Sequence, residues 1–587
     1  MSSNSKKGAL AVASTNETDS GQSDAKNAKK DHSVELDKIS SYVDEAFDAV
    51  PEIGSGNRWY DYPYKVLTWF LRSRLGRALP YRIREQINYL CNYLIPWNEV
   101  DRERAWSTDD PSANLTVPPD EHVLIPRVWA VEFFPPSELD SLKRAIDKNG
   151  WDSKRVRYGI REPNEDMLDR SRKGAGWAWW DLGSVLSETA NMFDPDAQKR
   201  KLPEAIEHVE LTALQVGPSL TVVVGSFTLS QKARKSVDEV WRSAHEPKLY
   251  FRRRGRPGVR NRLWSAFHET QTSRRNLHDA VRGWMTDHCP GSFAHGGADQ
   301  PLVDLVLLEK YEPTRGRRRD RDLHEALRAI GIMEPSYEMT SEDFPGLLLE
   351  PADELMCPAI KGRYTKTLWG QVDRIAEGIG EKLSFYGGKY DRVAAIGSFV
   401  DRRINNFLVN LAMLDFLQLK RAQHAVLRDQ ARARHGKFKR RDLQNLRDSF
   451  LTTSLDTNSV ARDIAKVSQS YHPNRDGAVF IRRPAAWLQE SYEKDGSTAP
   501  APVNINEELR KSQEEHIKEL VEFDKDYRSI LSTVASIGSS IDAFKVQRYA
   551  IWIAFVSLLV AFVSLLATAA GPNGLRSFSQ ALSSWLS

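Results

Sequence analysis

Residues 549–573 read YAIWIAFVSLLVAFVSLLATAAGPN, and the small residues in this hydrophobic run keep step. Ala550, Ala554, Ser557, Ala561, Ser564, Thr568 and Gly571 recur at alternating spacings of four and three, with Asn573 just beyond. Two kinds of chemistry suit such a stripe. Small residues let membrane helices approach closely and self-associate. Alternatively, several copies surround a water-filled path that Ser557, Ser564 and Thr568 line with hydroxyls. Toward the N-terminus the line continues through Gln547, Ala543, Ser540, Ser536, Thr533 and Ser529 to Asp526, Glu522, Glu519 and Glu515. Those four carboxylates would form an acidic mouth that concentrates cations. A repeat of about 3.5 residues stays on one face only where helices coil about each other, so the line predicts a homo-oligomer. A second line, Ile517, Leu520, Leu531, Val534 and Ile541, is apolar and is expected to pack on neighbours.

The element that carries these residues is one long helix. Residues 549–570 hold 22 residues without a charge. That makes about 33 Å of helix, enough to cross a hydrocarbon core and contact membrane lipid. No proline occurs between Val503 and Pro572, so the helix is expected to begin near Ile505 and run unbroken into the membrane. Lys545 and Arg548 precede the span, and only Arg576 follows it closely. With no N-terminal export signal, the positive-inside tendency predicts a single-pass protein with the bulk of the chain cytoplasmic. In residues 571–587, Leu575, Phe578, Leu582 and Trp585 fall near one helical face, which reads as a short amphipathic tail at the interface.

Upstream, the chain divides by pattern. Residues 1–33 are poor in large apolar side chains and read as a disordered tail. Residues 34–117 are helical, with an aromatic and arginine-rich segment at 59–79 that either packs on the next domain or lies on a membrane surface. Residues 118–335 read as an α/β domain. VWAVEFF is a strand and PPSELDSLKRAIDKNG a helix. HVELTALQV and LTVVVGSFTLS form a hairpin through Gly217-Pro218-Ser219, Ser230 caps the helix QKARKSVDEVWRSA, and PLVDLVLLEKYEP supplies a further apolar run. Residues 336–366 read as a linker, 367–470 as long helices, 471–504 as a loop and 505–548 as a stalk helix. The expected class is α+β: a cytoplasmic α/β domain plus long helices, ending in one transmembrane helix.

Composition narrows the function. With 83 basic against 79 acidic residues, the net charge of +4 predicts no nucleic-acid partner. Cys91, Cys289 and Cys357 lack C-x-x-C spacing, which suits a reducing compartment. His288, Cys289, His295 and Asp299 are metal-ligand types, but their spacing fits no zinc pattern, and ordinary loop histidines are the competing reading. Basic runs at 251–262, 315–321 and 432–441 could meet phosphates of lipid or nucleotide, or form solvated faces. Trp177, Trp179 and Trp180 could stack a ligand or fill a core. No phosphate loop, nucleophile elbow, H-E-x-x-H or kinase signature is present, so no reaction, catalytic residue or cofactor is assigned.

A long helix entering the membrane directly, after an α/β domain and a helical region, resembles the CorA magnesium transporter family. In that family the first membrane helix lines a pentameric pore and ends in Gly-Met-Asn. Here Gly571-Pro572-Asn573 stands at the corresponding end, with Pro572 in place of methionine. The likeness covers roughly residues 505–573, and the upstream domain in outline. It implies that architecture and an oligomeric assembly, for which a cation-conducting channel or transporter, with a divalent cation as candidate, is one expected function. The family carries a second membrane helix after the signature. With fourteen residues following Asn573, the expectation here is one span without that outer ring. The other reading is a single-span sensor or scaffold, whose cytoplasmic domain binds a ligand and whose span only tethers or dimerises it.

Overall fold

Along the central strand, successive side chains enter two different cores, and this alternation organises the molecule. The computed structural model describes residues 41–110, 113–151, 163–174, 177–190, 197–251, 257–312, 321–332, 336–351, 365–433, 440–468, 477–569, 579–580 and 583–584. The N-terminal part includes α1 (Asp61–Arg72), α2 (Arg74–Ala78) and α3 (Tyr81–Ala105). Then come β1 (Val123–Phe134), α4 (Leu139–Lys148), β2 (Ala178–Ser187), β3 (Gln198–Arg200), β4 (Ile206–Gln215) and β5 (Thr221–Leu229). Next are α5 (Gln231–Trp241), the hairpin β6 (Lys248–Phe251) and β7 (Pro257–Arg260), α6 (Arg262–His288), β8 (Leu302–Leu308) and α7 (Arg321–Ala329). The remainder supplies β9 (Tyr337–Thr340), β10 (Leu348–Pro351), β11 (Thr365–Gln371), α8 (Arg392–Ala433) and α9 (Arg440–Ser468). It ends with β12 (Ile481–Pro484), β13 (Val503–Asn504) and α10 (Ile505–Ala569).

Eleven strands form one sheet in the order β13-β12-β9-β10-β11-β8-β1-β5-β4-β2-β3. β8 and β11 run parallel, as do β2 and β3, and the other neighbours are antiparallel. Helices cover both faces, so the class is α+β. On β1, Trp129, Val131 and Phe133 enter the core shared with α8, α9 and the start of α10. Val128, Ala130 and Phe134 enter the core shared with α4, α5 and α6. Side chains on a strand point alternately to its two faces, which is why one apolar run feeds both layers.

Three segments differ from their sequence reading. Residues 336–366 contain β9 and β10, and residues 471–504 contain β12 and β13, all within the same sheet. Residues 365–371, from the end of the stretch read as a linker into the start of that read as helical, form β11 alongside β8. These strands are short and partly polar (YEMT, LLEP, IRRP), so their periodicity is too brief to register. Pairing with a distant strand decides them.

The β4–β5 hairpin turns at Gly217-Pro218-Ser219 and docks on α9, where the Ser219 N–H donates to Asp463 at 2.5 Å. A Cβ on Gly217 would stand 2.6 Å from Asp463 Cγ. Gly217→Ala is therefore expected to cost about 1–3 kcal/mol through overpacking, read by urea unfolding. A variant as stable as the parent would show that the turn yields. Ser230 caps α5, its hydroxyl accepting the Ala233 N–H at 3.3 Å.

Candidate functional site: the stalk helix and its supports

α10 is a single helix of 65 residues, about 97 Å long. Its first turns belong to the body. The Ile505 N–H donates to the Phe480 carbonyl at 2.9 Å, and Gln513 Nε2 reaches the Asn410 carbonyl on α8 at 2.8 Å. Ile505, Leu509, Ile517 and Leu520 are buried in the core with α8 and α9. Of the second line read from the sequence, then, Ile517 and Leu520 pack as expected. Among the described side chains the last anchor is Asp524, which is buried, accepts from Asn458 Nδ2 at 2.7 Å and pairs with Arg528 at 3.0 Å.

Beyond that point the described side chains are exposed. Val546–Leu565 is a 20-residue stretch of mean hydropathy 2.0 with none of it buried, long and apolar enough to cross a bilayer. Ala550, Ala554, Ser557, Ala561 and Ser564 all lie on its exposed surface. Thr568 belongs to α10, but its side chain lies outside the described set, and Gly571 and Asn573 lie outside the described residues. At the body end, Glu515, Glu522 and Asp526 are exposed. Glu519 is different. It turns toward its own body and pairs with Arg421 of α8 at 2.7 Å and with His516 at 3.6 Å. Along a straight helix of 3.6 residues per turn a 3.5-residue line drifts, so its members do not all share one surroundings.

Toward the end of β1 the structure holds polar groups for which no sequence motif stands, one on residues 293–300 and one between α8 and α9. Glu132 is wholly buried and accepts the N–H groups of Phe293 at 2.8 Å and Ala294 at 3.2 Å, with Gln300 Nε2 at 3.3 Å. Burial pushes its carboxyl up to about 7, against the pull of those donors. Lys420 of α8 is also buried, its Nζ 3.9 Å from Asp456. Burial draws its ammonium below the ordinary range, and Asp456 opposes this. Asp456 in turn accepts the Ser137 N–H at 3.1 Å and the Ser137 hydroxyl. Lys420 and Asp456 join α8 to α9, and Asp456 ties α9 to Ser137 just after β1.

The metal-ligand types do not converge. The His288 ring stacks on Trp284 at 4.4 Å, with Nδ1 3.0 Å from the Trp284 carbonyl. Cys289 is buried, which pushes its thiol up, with the nearby Glu132 charge adding to the shift. His295 pairs with Glu138 at 2.7 Å. Among the described residues no three His, Cys, Asp or Glu side chains are grouped to hold a metal ion. Trp180 is buried, while Trp179, its neighbour on β2, faces solvent. The basic runs at 251–262, 315–321 and 432–441 lie partly or largely outside the described residues, as do residues 1–40 and most of the tail after Ala569. Comparison with known proteins returns no match: no protein-family profile, curated protein or solved structure is similar to the chain.

Proposed function

We propose that the protein is a self-assembling membrane protein of CorA-like architecture, with its bulk in the cytoplasm. Copies of α10 meet along the small-residue stripe and enclose a path for a divalent cation. One observation carries this reading: α10 continues without a break from a packed body into an apolar span that no other described residue covers. Close approach of small residues then comes from other copies. The exposed carboxylates of Glu515, Glu522 and Asp526 supply a rim that attracts cations. The mass of the detergent-solubilised or nanodisc-held protein tests assembly. A ring of several copies is expected, and a monomer overturns the reading. In liposomes loaded with a magnesium-sensitive dye, Ser557→Leu and Ser564→Leu are each expected to remove most of the flux. Flux unchanged in both places these residues outside the path.

A single-span sensor or scaffold is the second reading. The pairing of Glu519 with Arg421 favours it, because one of the four carboxylates is already committed within the chain. It requires a monomer or dimer without flux.

A further inference from the structure

Far from α10 in sequence, α1 offers solvent a face that should be buried. Tyr62, Val66 and Trp69, spaced four and three apart on one side of the helix, are 57%, 63% and 70% exposed. Leu75 follows in α2, and Tyr81, Ile83 and Leu90 in the first half of α3, all exposed. The segment is nevertheless fixed in place. Tyr60 is buried with its hydroxyl 3.0 Å from Asp101, the Trp59 and Trp97 rings meet edge to face at 5.1 Å, and the later turns of α3 bury Cys91, Leu94 and Val100. Apolar side chains left bare in this way on a fixed helix such as α1 mark an interaction surface.

Charge indicates what covers it. Residues 58–90 contain seven basic and two acidic side chains. Of the two acids, Asp61 is buried and accepts the N–H groups of Gly54 at 2.6 Å and Arg58 at 2.9 Å; Arg58 pairs with Asp101, and within the segment Glu85 is left to offset the remaining cations. Arg72, Arg74, Arg77, Arg82 and Arg84 are all exposed among the bare aromatic and aliphatic side chains. Tyr and Trp settle at the headgroup level of a bilayer, and guanidinium groups bind phosphate in a fork. A helix with an apolar face and a basic border lies in the plane of an anionic membrane.

We propose that α1, α2 and the first turns of α3 dock on an anionic lipid surface. This is a second membrane contact, distinct from the apolar span of α10, and it stands whether or not α10 encloses an ion path. The test uses the full chain in nanodiscs, with an environment-sensitive fluorophore on Val66→Cys in a Cys357→Ser background; Cys91 and Cys289 are buried. One arm uses discs containing phosphatidylserine, which reports docking on the protein's own membrane. Another uses phosphatidylcholine discs with added phosphatidylserine vesicles, which reports docking on an apposed one. Phosphatidylcholine throughout is the control. A blue shift with roughly twofold brighter emission is expected in at least one anionic arm and not in the control. Arg74→Gln with Arg77→Gln is expected to weaken the response roughly 30-fold in lipid concentration, and Trp69→Glu to remove it. Emission that is the same in all three lipid settings overturns the proposal and leaves the face to a protein partner. So does an equal response to neutral lipid, or an undiminished response in the double arginine variant.

Discussion

Replacing Asp304 by asparagine is expected to lower the unfolding free energy by about 3–5 kcal/mol, because it strands a buried guanidinium without its counter-charge. Asp304 lies within β8 and is wholly buried, each of its oxygens 2.7 Å from a nitrogen of Arg274 on α6. His278 Nε2 stands 2.9 Å from the same carboxylate. Burial alone would raise this carboxyl, but Arg274 and His278 overcome it and hold the group well below the usual carboxylate range. Burial likewise draws His278 down, with Asp304 opposing. Arg274 also donates to the Ile330 carbonyl at 2.6 Å and to the Thr367 hydroxyl, so one side chain joins α6 to β8, β11 and the end of α7. Urea unfolding followed by tryptophan fluorescence measures the loss. Arg274→Met is expected to cost a similar amount, while Arg274→Met with Asp304→Leu recovers a large part of it, since neither charge is then left alone. A double variant as unstable as the two single losses combined would show that the charges are not coupled.

The second large effect is a pH dependence centred on Glu132. Its folded-state pKa of about 7 lies above the ordinary 4.5. Between those values the folded protein keeps a proton that the unfolded chain releases, so this group makes stability fall as pH rises from about 4.5 to about 7, and level off above. A shift of that size corresponds to about 3 kcal/mol. Glu132→Gln cannot titrate and is expected to lose this slope. The comparison is therefore the difference between parent and variant unfolding free energies from pH 4.5 to 8. A difference that stays constant across the range would show that Glu132 does not change protonation there.

The sequence foreshadowed some of this architecture for local reasons. Gly217-Pro218-Ser219 between two β-rich runs gave the β4–β5 hairpin because turn and strand signals sit side by side. α10 was legible from a long proline-free run ending in an apolar block. β9, β10, β12 and β13 were not, because strands of four residues or fewer owe their state to partners far along the chain. The polar supports were harder still. Glu132 does appear as a charge inside VWAVEFF, and Asp304 as one inside LVDLVLL, and each is a signal in principle. Both strands are covered on both faces, so alternation could not say which way either carboxylate points. Their partners, Phe293 and Gln300 for the one and Arg274 for the other, come from separate elements that only the fold brings near. At α1 the amphipathic spacing was plain, but which side stays bare depended on where α3 packs. For the acidic line, the spacing alone could not show that Glu519 pairs with Arg421.

The unbroken course of α10 has a mechanical consequence. From Asp524, the last described residue of α10 that is buried in the body, to Val546 the helix spans about 33 Å, and to its end at Ala569 about 67 Å. It is a lever with its fulcrum at the Asn458–Asp524 hydrogen bond. A tilt of about 5° there swings the far tip by roughly 6 Å, about one helical turn. Small rearrangements of α8 and α9 therefore arrive at the apolar end of α10 magnified, and the wide sheet beneath them is the base that keeps the pivot steady.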